Sequence, residues 1–389
     1  MRILLLAEGD AETWDSWSGS ARSLVEHLRH AGHDVIVRDV ECYGAERWLA
    51  ALGTYSWDRR RWSSRFHLGS LPFRLRTRRA AQHIARHRNE IDLILQIGGT
   101  FEPAGRGSLP CAVYSDSNIR MAERGAGTGH SDASSLTTVE LELVQQREAR
   151  VYADADLIFA MSEYLRRSFI DDFGLAESRV LAVHAGLNLD VNRIAYPRPP
   201  RGSWPPTILF VGRQFGRKGG DVLLDAFTRV RAELPNARLV IVGPTGLGEV
   251  PPGTSVLGFL DKSTPAGWDG LCRAYTEADV FCLPTRFEPF GISFLEAMFF
   301  GLPCVGTNAW AIPEMVAEGD TGFLVPVDDA IALADRLLVL LGNPELARSM
   351  GAAGRRRAES CFTWDAVVQR MEAGVASMCD TKTTGAGGS

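Results

Sequence analysis

Short aliphatic runs alternate with longer helical stretches along the chain, and the alternation starts twice. In the first half the runs are RILLLA (2–7), DVIVRDV (34–40), IDLILQI (91–97), CAVYS (111–115), ADLIFAM (155–161) and RVLAVH (179–184). Helical patterns such as GSARSLVEHLRHAG from Gly19, and SLTTVELELVQQREARVYADA before Asp156, separate them. Nearly continuous apolar runs are the mark of strands buried on both faces of a parallel sheet, and parallel strands require such crossovers. NRIAYPRPPRGSWPP (192–206) then interrupts, stiffened into an extended linker by Pro197, Pro199, Pro200, Pro205 and Pro206. Beyond it come TILFVGR (207–213), ARLVIVG (237–243), TSVLG (254–258), ADVFCLP (278–284) and PCVGT (303–307). The expected fold is α/β, with two Rossmann-like doubly wound domains at 1–191 and 207–361 facing each other across a cleft. One continuous sheet of about eleven strands would exceed the roughly ten at which open sheets usually stop. A C-terminal helix over 362–378, packing back on the N-terminal domain, and a disordered tail at 379–389 complete the expectation.

Several function classes fall away on composition. A net charge of -5 argues against a nucleic-acid binder. The seven cysteines are scattered, odd in number and never spaced C-x-x-C, which fits a reducing cytoplasm and neither a zinc site nor a disulfide framework. The apolar run Ile3–Ala7 is too short for a signal peptide or a membrane span. GPTGLG (243–248) has its glycines in the wrong order for a dinucleotide fingerprint, and GRQFGRKGG (212–220) lacks the G-K-[ST] of a phosphate-binding P-loop. Asp154-Ala155-Asp156 matches the D-x-D of metal-dependent sugar transferases, but it lies at a helix–strand junction, and no metal site is expected there. Residues 56–90 carry ten arginines against Asp58 and Glu90, with Trp57, Trp62, Phe66 and Phe73 interleaved. That face is expected either to meet anionic lipid or an anionic acceptor, or to be a solvated helix whose arginines satisfy nearby carboxylates.

Three features of the second half agree with one another. Strand TILFVGR ends at Arg213, and Lys218 follows just before helix GGDVLLDAF, two cations placed for a diphosphate. Strand ADVFCLP leads into FEPFG, so the backbone N–H groups of Phe290, Gly291 and Ile292 open the next helix and can serve phosphate or sugar oxygens. Glu288 precedes that helix and Glu296 lies about two turns inside it, in an otherwise apolar segment where an unpaired carboxylate is costly. At different depths of one cleft, the two acids suit two diols.

Glu288-x7-Glu296, within FEPFGISFLEAMFFGLPCVGT, resembles the retaining glycosyltransferases of the GT-B fold, family 4 in particular. FVGRQFGRKGGDVLLDAF, ADADLIFAMSEYLRRSF, VHAGLNLD and IPEMVAEGDTGFLVP match its other recurrent stretches in the expected order. The resemblance covers roughly residues 1–375 and is densest from Asp154 to Val327. It implies a hexosyltransferase that moves a sugar from a nucleotide-diphosphate donor to an acceptor hydroxyl, with retained anomeric configuration, no cofactor and no metal. The N-terminal domain would then take the acceptor (a glycan, a lipid-linked sugar or a small molecule) and the C-terminal domain the donor. Arg213 and Lys218 would bind the diphosphate, Glu288 the hydroxyls of the transferred sugar, and Glu296 the ribose diol. Gly19 would let the N-terminal loop approach the phosphates, while Gly186 and Asn188 fall in a loop to which the resemblance assigns no definite role.

Two positions depart from the family pattern. Many relatives carry a His after the strand equivalent to CAVYS, where this chain has Ser115-Asp116-Ser117-Asn118; Asp116 is the nearest replacement. Relatives often show Gly-Gly where this chain has Trp310-Ala311, so Trp310 is expected to crowd the donor pocket or stack on the base. The rival readings are a GT-B-like nucleotide-sugar epimerase and an inactive nucleotide-sugar-binding or scaffold protein docked through 56–90.

Overall fold

The computed structural model describes residues 1–14, 16–189 and 205–385, and among them twelve strands form two separate six-stranded sheets. The chain divides into two compact units, Met1–Gly186 with Trp364–Ser389, and Leu187–Thr363. The proline-rich linker expected at 192–206 lies almost wholly outside the described residues.

Unit 1 contains β1 (Arg2–Ala7), β2 (Asp34–Asp39), β3 (Leu93–Ile97), β4 (Cys111–Ser115), β5 (Leu157–Ala160) and β6 (Val180–Ala182). They pair in parallel in the order β2-β1-β3-β4-β5-β6. β1, β3, β4 and β5 are apolar almost throughout because helices cover both sheet faces. Those helices include α1 (Ser20–His30), α2 (Gly44–Gly53), α3 (Arg59–Leu68), α4 (Ser70–His87), α5 (Ile119–Arg124), α6 (Thr138–Asp154) and α7 (Glu163–Phe173). Leu4 and Leu6 of β1 and Ile94 of β3 pack with Ala80 and Ile84 of α4 and Phe101 to make one core cluster. α6 begins at a full capping box, with Thr137 and Glu140 satisfying each other's backbone N–H groups.

Unit 2 contains β7 (Thr207–Val211), β8 (Arg238–Val242), β9 (Thr254–Gly258), β10 (Val280–Leu283), β11 (Cys304–Thr307) and β12 (Gly322–Val325), ordered β12-β11-β10-β7-β8-β9. Its helices are α8 (Gly220–Glu233), α9 (Pro265–Glu277), α10 (Ile292–Phe299), α11 (Ile312–Met315), α12 (Ala330–Gly342) and α13 (Pro344–Cys361). The strand order reverses at β7 and β10, the place where doubly wound sheets open a crevice at their carboxyl ends.

The last helix, α14 (Trp364–Gly385), belongs to unit 1. It lies over β5 and β6, where Gly374 leaves room for Leu181 and Phe159. Arg370 donates to the Val183 carbonyl at 3.0 Å and His33 meets Glu372 at 2.9 Å. Gly186 carries no side chain where the Trp364 ring sits. The expected tail at 379–389 is corrected in part, since the helix continues to Gly385. Among the described residues no helix is long and apolar enough to cross a membrane.

Candidate functional site

All strands of unit 2 run the same way, so the loops after β7, β10 and β11 gather along one sheet edge. Lys218 and Gly219 sit there, with Gly219 capping α8 at φ 68°. A Cβ on Gly219 would run into the Pro284 carbonyl after β10, so two loops touch through the missing side chain. Gly219→Ala is expected to cost at least ~2 kcal/mol, because the left-handed backbone alone costs roughly 1–2 kcal/mol in a residue with a Cβ. Urea unfolding measures it; a loss under ~0.5 kcal/mol, the size of an ordinary surface substitution, would show that the loops part freely.

The loop from Pro284 to Phe290 is pinned from several sides. Arg286 makes two 2.7 Å bonds to Asp221 and one to Asp328, and Arg217 donates to the Phe287 carbonyl at 3.2 Å. Trp310, after β11, donates its indole N–H to the Arg286 carbonyl at 2.9 Å and meets the Phe287 ring edge-on at 5.0 Å between centroids. This indole therefore props the loop that carries Glu288, a task that the Trp310-Ala311 departure did not suggest from sequence.

Held this way, Glu288 is only 4% exposed and forms an ion pair with Lys218. Burial lowers the Lys218 pKa, Glu288 opposes the fall and Arg217 adds to it. A buried pair is stable only when its remaining donors and lone pairs find partners. The ammonium keeps two more N–H groups and the carboxylate several lone pairs. Beside them α10 starts at Gly291, which has φ 112° and no side-chain cap. The first backbone N–H groups of the helix lack a side-chain cap there, at the positive end of its dipole. A Cβ at Gly291 would stand 3.4 Å from Glu288 Cγ and 3.0 Å from Met315 Cε, so glycine keeps the helix start close to the acid. Phe290 is buried, 3% exposed, with its ring 6.3 Å from that of Phe362.

Glu296 lies in the second turn of α10, nearer its start than the sequence spacing suggested. It is 2% exposed, and each carboxylate oxygen has a partner: Lys262 forms an ion pair with one, and Tyr275 Oη donates to the other at 2.8 Å. Burial, then Glu296, drives the Tyr275 pKa well above its ordinary value. The Tyr275 ring stacks on Phe300 at 5.0 Å, which fixes the hydroxyl. Arg213 is exposed and its guanidinium rests 4.7 Å over the Phe259 ring. Unit 2 therefore brings Lys218, Glu288, Gly291 and Ile292 together and gives Glu296 a separate lysine. Asn188, fully buried, also belongs to unit 2.

Lys262, Tyr275 and Phe259 were not read from the sequence. Lys262 stands in DKST before the Thr264 cap of α9, where one lysine carries no motif. The available signal was Glu296 itself, since an acid in so apolar a helix demands a cation.

Gly19 and Asp116 lie in unit 1. Gly19 caps α1 at φ 88°, and the Trp14 ring fills the space a Cβ would take, so packing within the unit itself requires glycine there. Asp116 is half-buried immediately after β4. Asp154 and Asp156 both bind Arg106, at 3.0 and 2.8 Å, which accounts for the D-x-D pair. The arginines of 56–90 divide into two sets. Arg61 and Arg65 hold Glu140, Arg76 holds Glu8 and Glu41, and Arg79 reaches Glu46. Arg59, Arg60, Arg74, Arg78, Arg86 and Arg88 are exposed. Next to the first two stand the exposed Trp57 and Tyr55, and α2 turns Trp48 and Leu52 to solvent at 73% and 71% exposure.

Residues 205–343 match the family described as Glycosyl transferases group 1. Over 239 residues the chain is 32% identical to the D-inositol 3-phosphate glycosyltransferase of Streptomyces avermitilis, covering 56% of this chain and 51% of that one. It is 30% identical over 236 residues to the GDP-mannose-dependent alpha-(1-6)-phosphatidylinositol monomannoside mannosyltransferase of Mycolicibacterium smegmatis, covering 55% and 60%. The chain thus spans little more than half the length of these relatives. Among solved structures, sucrose-phosphate synthase of Thermosynechococcus elongatus is similar with a TM-score of 0.69 and 18% identity, over 98% of this chain and all of that one. Anabaena HepE, solved with UDP and glucose, gives 0.63 and 18% over 97% of this chain. The fold is that of GT-B proteins.

Proposed function

Because the chain carries a glycosyl transferases group 1 domain at residues 205–343, we propose that it transfers a sugar from a nucleoside-diphosphate donor to an acceptor hydroxyl, retaining the anomeric configuration and using no metal. The observation that carries this reading is the buried Lys218–Glu288 pair beside the uncapped start of α10. As the donor's glycosidic bond breaks, negative charge grows on the diphosphate. Lys218, Arg213 and the first N–H groups of α10, at Gly291 and Ile292, oppose that charge without having to reorganise. Glu288 accepts from hydroxyls of the transferred sugar, and its negative charge favours an oxocarbenium-like ring. The acceptor attacks from the face the diphosphate leaves, and a phosphate oxygen takes its proton. Glu296, steadied by Lys262 and Tyr275, accepts from the ribose diol. Asp116 orients a donor or acceptor hydroxyl.

The donor base follows from a thermal-shift panel of UDP, GDP, ADP and their sugars, with and without a chelator. A ligand at 100 times its dissociation constant is expected to add about 2.7 kcal/mol to stability. No shift with any nucleotide would overturn the proposal. A shift without transfer to any acceptor would mark a binding protein, and loss of transfer with the chelator would remove metal independence.

The names of the relatives point to inositol-containing and lipid-linked acceptors. We place the protein in the cytoplasm, in keeping with seven free cysteines, and on anionic membrane at intervals. Trp48, Leu52 and Trp57 would enter the interface while Arg59, Arg60, Arg74 and Arg78 meet lipid phosphates. Replacing these four arginines by Gln, which spares the buried ion pairs, is expected to abolish co-sedimentation with phosphatidylglycerol vesicles. Unchanged sedimentation would reject the role.

A further inference from the structure

Arg286, two residues before Glu288, uses both of its backbone polar groups and every nitrogen of its side chain. Its N–H donates to the Arg217 carbonyl at 2.9 Å, and its carbonyl accepts from Trp310 Nε1 at 2.9 Å. Nη1 donates to the Gly216 carbonyl at 2.6 Å and to Asp221 at 2.7 Å. Nη2 reaches the other Asp221 oxygen at 2.7 Å, and Nε reaches Asp328 at 2.7 Å. Burial opposes the charge on Asp221, but the Arg286 bonds outweigh it and the Asp221 pKa falls.

These partners come from the loop after β7 with the first turn of α8, from the loop after β11 and from the turn after β12. Gly216 and Arg217 stand immediately before Lys218, and Asp221 follows three positions after it. One arginine therefore grips the chain on both sides of Lys218, while only Phe287 separates it from Glu288. The Phe287 carbonyl is held in turn by Arg217 at 3.2 Å and by the Thr285 hydroxyl at 3.1 Å. The Lys218–Glu288 pair does not fix its own place, because an ammonium on a flexible stem keeps its partner while drifting. A guanidinium bound through its planar fork sets direction as well as distance.

Backbone strain converges on the same residue. Among the described residues of unit 2, two non-glycines have a left-handed backbone: Trp310 at φ 59° and Asp328 at φ 62°. Both are bonded to Arg286. That conformation is unfavourable for a residue with a Cβ and persists where the surroundings over-determine it, typically at active sites and clamps.

We propose that Arg286 is a positioning residue for sugar transfer. It holds Lys218 and Glu288 in register, so that one meets the leaving diphosphate while the other meets the sugar, and Trp310 and Asp328 fix the arginine itself. This role rests on the transferase reading of the site.

Kinetics and calorimetry on the full chain test it. Arg286→Lys keeps the charge and removes the fork. Its kcat with the nucleotide sugar is expected to fall about 10²-fold, the effect of a misplacement of about 1 Å. Affinity for free nucleoside diphosphate should be nearly unchanged, because the ligand gathers a flexible lysine as it binds, whereas the transition state needs both charges placed at once. In the Glu288→Gln background the further fall in kcat should shrink to about tenfold or less, since residues that act as a unit are non-additive. Trp310→Phe keeps a ring against Phe287 and the arginine's ion pairs but loses the indole N–H. It should lower kcat about fivefold to tenfold, the rate equivalent of one hydrogen bond, with the same unchanged nucleotide affinity. If Arg286→Lys does not fold, the cycle with Glu288→Gln is read on Trp310→Phe. Losses that multiply in full, nucleotide affinity that falls in step with kcat, or an undiminished kcat would each overturn the role. An unaltered chain that transfers no sugar removes the transferase reading and this role together; transfer by the unaltered chain with any of those three results removes this role alone.

Discussion

Lys218→Met is expected to destabilise the protein by about 3–5 kcal/mol, because it leaves the Glu288 carboxylate buried and unpaired. The double variant Lys218→Met, Glu288→Gln should regain most of that loss in urea unfolding, since no charge then remains to be desolvated. Activity should part company with stability. Turnover of the nucleotide sugar is expected to stay roughly 10²–10³-fold down in both, the usual effect of removing one preorganised charge from a developing anion. If the stability losses of the single variants simply add, the pair is not coupled in solution. If the double variant regains turnover, neither residue belongs to the reacting site.

The second large effect concerns Glu296. Lys262→Met strands a carboxylate that is 2% exposed, with only Tyr275 left to hold it, and is expected to cost about 3–5 kcal/mol. Glu296→Gln strands instead an ammonium that retains some solvent, with 22% side-chain exposure. Its cost should be nearer 1–3 kcal/mol. Calorimetry with free nucleoside diphosphate separates the roles. Glu296→Gln should weaken binding, whereas Glu288→Gln should spare it and damage turnover of the sugar donor. Equal loss of nucleotide affinity in both would mean that ribose and sugar are assigned to the wrong acids.

Much of the fold is visible in the residues because parallel strands buried on both faces leave unbroken aliphatic runs. CAVYS and TSVLG are strands over their full length, and ADLIFAM holds one at Leu157–Ala160. The twelfth strand, GFLV at Gly322–Val325, escaped because four residues behind a Gly-Asp-Thr turn leave too short an apolar run. In the candidate site, Glu288 and Glu296 were legible because a carboxylate in greasy company announces a partner. What could not be read was which partner. Lys218 pairs with Glu288 across seventy positions and Lys262 with Glu296 across thirty-four, separations that only the sheet order brings together. The arginines of 56–90 posed the same difficulty. Period alone does not tell Arg76, 1% exposed on α4, from Arg74 and Arg78 on either side of it.

The membership of α14 in unit 1 has a consequence for biosynthesis. A ribosome finishes Met1–Gly186 before unit 2, yet the nascent unit lacks the helix that covers Leu181 and Phe159 until unit 2 has also been made. Unit 2 is contiguous and can complete its core first. At the usual 5–20 residues per second, about ten seconds or more separate synthesis of β6 from that of its cover. For that interval an apolar flank of the first sheet stands open, and it is closed by a segment made only after the whole of unit 2.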